Sequence, residues 1–161
     1  MKFDLTEPSA EQISEVAAIW AAGWQEAHAD IVPAALTALR TPGSFLKRAQ
    51  NAAGQTRIAL SEGTVLGFVM VQADELYQMY VAPEGRGTGV AQALMADAEQ
   101  RIAAAGAATA WLACAVGNDR AVRFYEKCGW LNAGLKEVEL DTPGDPFRLT
   151  VIRFEKTLSA P

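Results

Sequence analysis

Three glycines, Gly85, Gly87 and Gly89, stand in the segment of the chain best suited to bind a ligand through its backbone. Glycine has no Cβ atom, so a ligand can approach the main chain closely. Apolar residues then recur at helical spacing from Val90 to Ile102 and predict a helix. Its first backbone N–H groups lack intrahelical partners, and the helix dipole favours an anion there. The segment therefore predicts a site for a phosphate or a pyrophosphate.

The glycine pattern does not match the two common nucleotide-binding motifs. A Gly-x-Gly-x-x-Gly motif would need a glycine where Val90 or Gln92 stands, and a Walker loop would need Gly-Lys-Ser or Gly-Lys-Thr. A tight strand-to-helix turn without any ligand is the alternative interpretation of this segment taken alone.

A second distinctive segment runs from Asn118 to Trp130. Asn118 or Asp119 is suited to cap the start of a short helix, and Gly129 is suited to end it. The apolar stripe of the predicted helix consists of Ala121, Val122, Tyr125 and Cys128.

The rest of the sequence predicts the elements that position these two segments. Strands are expected at residues 2–6, 56–60, 65–71, 75–81, 108–116, 135–140 and 147–156, and helices after a capping box of Ser9 and Gln12 and at 33–40, 44–53 and 90–105. The strands at 65–71 and 108–116 are almost continuously apolar, which is typical of strands covered on both faces. Strand 75–81 carries several polar side chains, and these indicate that it lines a cleft.

Composition limits the classes of function. The chain has 161 residues, of which 50% are hydrophobic, and we expect one domain, 1–161. Its net charge of -5 argues against nucleic acid or an anionic membrane as a partner and favours a cationic substrate. Cys114, Cys128 and His28 lack metal-ligand spacing, so we expect no metal and two buried free thiols. The N-terminus lacks the apolar core of a signal peptide, which predicts a cytoplasmic protein.

The two segments together resemble the signatures of the GNAT superfamily of N-acetyltransferases. Arg86, Gly89 and Ala91 match the acyl-coenzyme A loop, Arg/Gln-x-x-Gly-x-Gly/Ala, and the second segment matches Asn-x-x-Ala-x-x-Phe-Tyr-x-Lys-x-Gly-Phe with Trp130 as its last residue. The resemblance covers about residues 57–157. It implies an α+β fold with three α/β/α layers. Its mixed, mostly antiparallel sheet of six to seven strands would have splayed central strands and helices on both faces.

The resemblance also implies acetyl-coenzyme A (acetyl-CoA) as the acyl donor. Its pantetheine arm would lie between strands 75–81 and 108–116, and its pyrophosphate on the glycine-rich turn. The cofactor-binding residues would be Met79, Tyr80, Val81, Arg86, Gly87, Thr88, Gly89, Val90, Ala91, Asn118 and Tyr125. Asn118 is equally suited to a plain N-cap role.

By the same resemblance, Tyr125 is the general acid that protonates the departing thiolate, unless it is only a core residue. Glu75 is the candidate general base, although a solvated carboxylate at a strand end is the alternative, and solvent itself takes the proton in some relatives. Substrate-binding candidates are Trp24, His28 and Tyr77, with Trp24 also suited to the core.

The function that the resemblance implies is N-acetylation of a primary amine, expected to be that of a small molecule, by direct transfer in a ternary complex. The alternatives are a protein amine as the acceptor, and a non-catalytic acyl-CoA sensor or partner-binding module on the same fold. A homodimer is possible, and nothing in the sequence decides it.

Overall fold

The computed structural model describes residues 2–159 and contains one seven-stranded sheet in the order β1-β2-β3-β4-β5-β7-β6. The strands are β1 (Asp4–Thr6), β2 (Thr56–Ser61), β3 (Thr64–Gln72), β4 (Glu75–Val81), β5 (Thr109–Ala115), β6 (Leu131–Leu140) and β7 (Phe147–Thr157). The helices are α1 (Ala10–His28), α2 (Ala34–Leu39), α3 (Pro42–Asn51), α4 (Val90–Ala104) and α5 (Asp119–Lys127), with 3₁₀ turns at Ala53–Gln55 and Pro83–Gly85. Only β4 and β5 are parallel neighbours within residues 2–159, which confirms the mixed, mostly antiparallel sheet.

Helices cover both faces of the sheet because side chains alternate along its strands. Ile58 and Phe68 pack in one buried cluster with residues of α1 and α3. Ala59 and Val69, their neighbours along the strands, pack in the other cluster with residues of α4. This arrangement confirms the three-layer α+β architecture.

Helix α1 begins as its sequence predicts. The hydroxyl of Ser9 accepts from the N–H of Gln12 at 3.3 Å, and the Gln12 side chain accepts from the N–H of Ser9 at 2.9 Å. The buried stripe of α1 consists of Ile13, Val16, Ala17, Trp20 and Trp24. This stripe holds α1 against the sheet, so the C-terminal end of the helix lies in a defined position beside β4.

The sheet opens between β4 and β5. Within residues 2–159, their ladder contains a single residue pair, Glu75 with Trp111. Strand β4 also contains a bulge: Gln78 pairs with Met70 and Leu76 pairs with Val71, so Tyr77 is an extra residue in the strand. A bulge bends a strand and redirects its side chains. The splayed central strands expected from the sequence are therefore present.

Four details differ from the sequence-based expectations. Helix α3 begins at Pro42 with Thr41 as its cap, because proline suits the first helical position. Strand β6 begins at Leu131 rather than residue 135. Strand β5 is not covered on both faces, since Ala113 is exposed at the opening beside β4. Cys128 is only half-buried, whereas Cys114 is buried, and both are free.

Candidate active site

A cleft of about 1330 Å³ occupies the opening between β4 and β5. Residues of α1, α2, α3, α4, α5, β4, β5 and the end of β6 line it. We call the part formed by residues 85–91 the glycine end. The part lined by Trp24, His28, Arg40, Arg48 and Tyr77 is the arginine end.

The glycine end is the uncapped start of α4. Ser9, Thr41 and Asn118 each cap a helix through a side-chain oxygen, at the starts of α1, α3 and α5. The N-cap position of α4 is instead occupied by Gly89, which has no side chain to accept a hydrogen bond. Its backbone is left-handed, with φ of 89°. Within residues 2–159, the N–H groups of the first turn of α4 therefore have no side-chain acceptor.

The three glycines of the turn have two different roles. A Cβ atom added at Gly87 or Gly89 would meet nothing within 4 Å, and both residues have positive φ. Gly85 is instead buried, and a Cβ atom there would lie 2.8 Å from the carbonyl oxygen of Leu66. Gly85 therefore lets the turn pack on β3, and only the other two glycines keep the backbone open to a ligand.

Arg86 is already engaged within the chain. Its guanidinium binds the Glu26 carboxylate at 2.9 Å, and its N–H donates to the carbonyl of Pro83 at 3.2 Å. The Arg86 guanidinium, as the main cause, holds the pKa of Glu26 below its usual value. Within residues 2–159, free donors of the turn therefore begin at Gly87 rather than at Arg86.

Tyr125 lies on α5 beside the cleft, between the two ends. Its ring packs against Phe154 and Phe124, with centroids 5.7 and 5.9 Å away, so it contributes to the core and also lines the cleft. Burial raises the pKa of the Tyr125 phenol, and the nearby thiols of Cys114 and Cys128 raise it further. The phenol is therefore protonated at neutral pH, as a general acid must be.

Glu75 lies where β4 and β5 begin to separate. Burial raises the pKa of its carboxyl to about 7, the charge of Asp74 raises it further, and Arg153 opposes the shift. Asp74 accepts a hydrogen bond from the Trp111 indole at 3.0 Å. A carboxyl that titrates near neutral pH and lines a cleft has the properties of a general base.

The three predicted acceptor-binding residues all line the arginine end. Trp24 is almost fully buried, and its ring stacks on His28 at a centroid distance of 5.2 Å. Nδ1 of His28 lies 3.2 Å from the carbonyl oxygen of Trp24, and burial lowers the pKa of His28. The Tyr77 hydroxyl accepts a hydrogen bond from Arg48 at 3.0 Å.

Sequence reasoning missed two residues of this end, Arg40 and Arg48. Arg40 is 8% exposed at the end of α2, and the Arg48 side chain is 10% exposed on α3. Arg40 follows a short helix that has no charged residue, and Arg48 follows exposed Lys47 in α3, so no local pattern distinguishes the two arginines. Only the packing of α2 and α3 against α1 and β4 buries them together.

Asn118 and three residues of β4 complete the comparison with the sequence. Asn118 accepts a hydrogen bond from the N–H of Ala121 at 3.4 Å, so its N-cap role is present. Met79, Tyr80 and Val81 line the cleft on β4. Within residues 2–159, no group of three His, Cys, Asp or Glu side chains is arranged to hold a metal ion, and no helix is long and apolar enough to cross a membrane.

Comparison with known proteins identifies the class to which this fold and cleft belong. The sequence profile of the Acetyltransferase (GNAT) family matches residues 15–130. The chain therefore belongs to the GNAT acetyltransferase family, a family of acetyl-CoA-dependent acyltransferases. This result confirms the resemblance drawn from the two sequence segments.

Individual relatives agree with this assignment. An uncharacterised N-acetyltransferase of Mycobacterium tuberculosis is 36% identical over 87 residues, which are 51% of this chain and 56% of that protein. The chain thus spans little more than half the length of the curated relatives it matches. A GCN5-related N-acetyltransferase from Rhodopseudomonas palustris has a TM-score of 0.74 and 25% identity, over 98% of this chain and 97% of that one. PaiA N-acetyltransferase from Thermoplasma acidophilum, solved with coenzyme A, has the same fold, with a TM-score of 0.68 and 18% identity over 98% of this chain and 99% of that one.

Proposed function

We propose that this protein transfers the acetyl group of acetyl-CoA to a primary amine of a small molecule, with both substrates bound at once. One observation carries the proposal: the uncapped start of α4, Tyr125 and Glu75 all open into one cleft between splayed strands. An anion site, a proton donor and a proton acceptor are the groups that this transfer needs.

The cleft suits coenzyme A as a substrate. The N–H groups of Gly87 to Ala91 would hold its pyrophosphate, because within residues 2–159 no side chain caps them. The β4 backbone at Met79, Tyr80 and Val81 would bind the amides of the pantetheine arm along the opening. Asn118 already caps α5, so a contact with coenzyme A would use its remaining hydrogen-bonding groups. When bound, acetyl-CoA supplies the acetyl group as a thioester.

The chemistry of transfer divides between two residues of this chain. The unprotonated amine nitrogen forms a bond to the thioester carbonyl carbon, and the carbon–sulfur bond breaks. The Tyr125 hydroxyl donates its proton to the departing sulfur, and its raised pKa keeps that proton in place until the carbon–sulfur bond breaks. Glu75 accepts the proton that the amine nitrogen loses, directly or through water, because its pKa of about 7 keeps much of it ionised at neutral pH.

A covalent acetyl-cysteine route is disfavoured. Burial raises the pKa of Cys114 to about 11, so little of the reactive thiolate exists at neutral pH. Burial also raises the pKa of Cys128. Direct transfer needs neither thiol.

The free cysteines are consistent with the reducing cytoplasm, which we propose as the location of the protein.

A small acceptor is favoured over a protein amine by the arginine end. Trp24 stacks on His28 there and is only 7% exposed, and Tyr77 lines the same part of the cleft. Such a recess suits a short molecule better than a folded surface. Trp24, His28 and Tyr77 are the residues that would contact it.

The proposal is tested by measuring thiol release from acetyl-CoA across a panel of amines, with coenzyme A binding measured in parallel by calorimetry. We expect micromolar or tighter cofactor binding and faster thiol release with one class of small amine. Tight binding without any turnover would favour the non-catalytic sensor. Turnover with peptides alone would make the acceptor a protein amine, and absence of coenzyme A binding would refute the proposal.

A further inference from the structure

The arginine end contains two guanidinium groups buried side by side. Arg40 and Arg48 come from different helices, and both line the cleft. Arg48 is held rigidly, because its guanidinium carbon lies 4.2 Å from the ring centroid of Trp20 and its Nη2 donates to Tyr77 at 3.0 Å. The pair is therefore a fixed feature of the cleft rather than two mobile surface side chains.

Most of the donor capacity of this pair is unused. Nη1 of Arg40 donates to the backbone carbonyl of Asp141. Within residues 2–159, buried Nε of Arg40 and buried Nε and Nη1 of Arg48 have no hydrogen-bond partner. Buried arginine donors are normally satisfied, and an unsatisfied buried donor is destabilising.

Charge is also unbalanced at this position. Among residues 2–159, the carboxylate near the pair is that of Asp141, which is 65% exposed and forms a loose ion pair with Nε of Arg48 at 3.7 Å, beyond hydrogen-bond distance. Burial and the charge of Arg48 lower the pKa of Arg40 to about 10, so Arg40 remains charged at neutral pH.

The other carboxylates that line the cleft do not neutralise this pair. Glu26 pairs with Arg86 at 2.9 Å, and Glu139 lies 3.5 Å from Arg148. Asp119 lies in the first turn of α5, close to Cys114. Glu75 lies where β4 meets β5, and the charges that act on it are those of Asp74 and Arg153 rather than Arg40 or Arg48. The arginine end therefore has a local excess of positive charge, although the whole chain carries -5.

The ligand group that best fits this environment is a carboxylate. Its two oxygens match the planar fork of a guanidinium, and charge-assisted hydrogen bonds of this kind are short and strong. A carboxylate bound in the cleft would neutralise the excess charge, and a small shift of either arginine side chain would let its unused donors reach the carboxylate oxygens. A cationic amine without a carboxylate would instead add a third positive charge.

We infer that Arg40 and Arg48 bind a carboxylate of the acceptor, so that the substrates are amino acids or other amines bearing a carboxylate. This inference rests on the proposed N-acetyltransferase function and specifies its substrate class. Tyr80 lies near both arginines and near Tyr125, because all three groups act electrostatically on the pKa of its phenol. An acceptor anchored on the arginines would extend its amine past Tyr80 towards the proton donor.

The test uses matched acceptors and matched variants of the full chain. Each acceptor is tested beside its amide, which is the same molecule with every carboxylate converted to a carboxamide. The acceptors are glycine, β-alanine, γ-aminobutyrate, glutamate and lysine. The variants are Arg48→Met, Arg48→Lys and Arg40→Lys. Arg57→Met is the control, because Arg57 has an unpartnered buried Nε and a distant carboxylate, Asp97 at 3.8 Å, but does not line the cleft.

Two quantities are measured for every pair: kcat/KM for thiol release, and acceptor binding to the coenzyme A complex by calorimetry. We expect at least about tenfold higher kcat/KM for the best carboxylate than for its amide, loss of that preference in Arg48→Met, and partial loss of it in Arg40→Lys, mainly through KM. Arg48→Lys should retain part of the preference, since it keeps the charge but not the fork. Arg57→Met should retain all of it.

The outcomes separate this inference from the proposed function. Efficient turnover of amides or polyamines without a preference for carboxylates would overturn the inference and leave the enzyme intact. Equal losses for both members of a pair in Arg48→Met would mean that the arginine only supports the fold, which also overturns it. Arginine-dependent carboxylate binding without any turnover would support the anion site and refute the enzyme. Absence of both turnover and carboxylate binding would refute both.

Discussion

The two ends of the cleft are built in opposite ways. The glycine end is one continuous segment, residues 85–91, and offers backbone N–H groups at its surface. The arginine end collects side chains from α1, α2, α3 and β4, and it buries them. A ligand held by backbone groups depends on conformation and local charge, whereas a ligand held by side chains depends on their identity. The two ends should therefore respond differently to substitution.

The largest expected effect is at Tyr125, which lies between the two ends. Tyr125→Phe removes the proton donor and keeps the ring that packs on Phe154, so turnover should fall by about 10²–10⁴ while acetyl-CoA affinity stays nearly unchanged. Initial-rate assays of thiol release measure turnover, and calorimetry measures acetyl-CoA affinity. Tyr80→Phe is the informative comparison, because Tyr80 is another phenol with a raised pKa in the same cleft. A fall only in Tyr80→Phe would transfer the acid role to Tyr80.

A charge placed at the glycine end should act next most strongly. Gly89→Asp sets a carboxylate beside the expected pyrophosphate, and two like charges about 4 Å apart repel by roughly 4 kcal/mol at a protein surface. We expect coenzyme A to bind at least about a hundredfold more weakly. Gly63→Asp is the matched control: Gly63 also has positive φ and open space around it, but it lies in the β2–β3 turn outside the cleft. Equal affinity in the two variants would place the anion elsewhere.

Glu75→Gln should produce a smaller loss of rate, because water can replace part of its role. Turnover of the unsubstituted protein should fall as pH decreases through about 7, where Glu75 becomes protonated. The variant should lack this dependence and be about tenfold or more slower at pH 8. A pH–rate profile that is identical in both proteins would assign the proton transfer to solvent.

The same carboxyl makes a prediction about stability. Because the pKa of Glu75 is higher in the folded chain than its ordinary 4.5, its contribution to stability is full below about 4.5 and is lost as pH rises through about 7. Glu75→Gln should therefore gain melting temperature relative to the unsubstituted protein between pH 5 and pH 8. Thermal unfolding at these two pH values measures the difference, and a constant offset would contradict the raised pKa.

The smallest effect is expected at Arg86. Its side chain binds exposed Glu26 across the mouth of the cleft, and exposed ion pairs contribute about 0–1 kcal/mol. Arg86→Ala should therefore change coenzyme A affinity by less than about fivefold. Calorimetry in low and high salt checks this expectation. A loss as large as that of Gly89→Asp would mean that the guanidinium leaves Glu26 and binds phosphate, so the glycine end would also depend on a side chain.

Local sequence signals accounted for much of the fold and for the glycine end. The capping box at Ser9, the bounds of β4 and the start of α4 each follow from residues close together in the chain. Burial altered the interpretation of single residues. Gly85 looked like part of the ligand turn but packs on β3, and β5 looked covered on both faces but borders the cleft.

The sequence by itself determined the elements, the family and the start of α4 after a glycine-rich turn, because helix capping, side-chain periodicity and glycine conformation act over a few residues. Only the tertiary structure decided the arginine end and the pKa of Glu75. Arg40, Arg48 and Tyr77 lie on different elements, so no spacing in the chain predicts that they meet. The overall charge of -5 indicated a cationic substrate, yet the cleft buries two positive groups together. Electrostatic recognition depends on local charge and desolvation, and these exist only once the chain has folded.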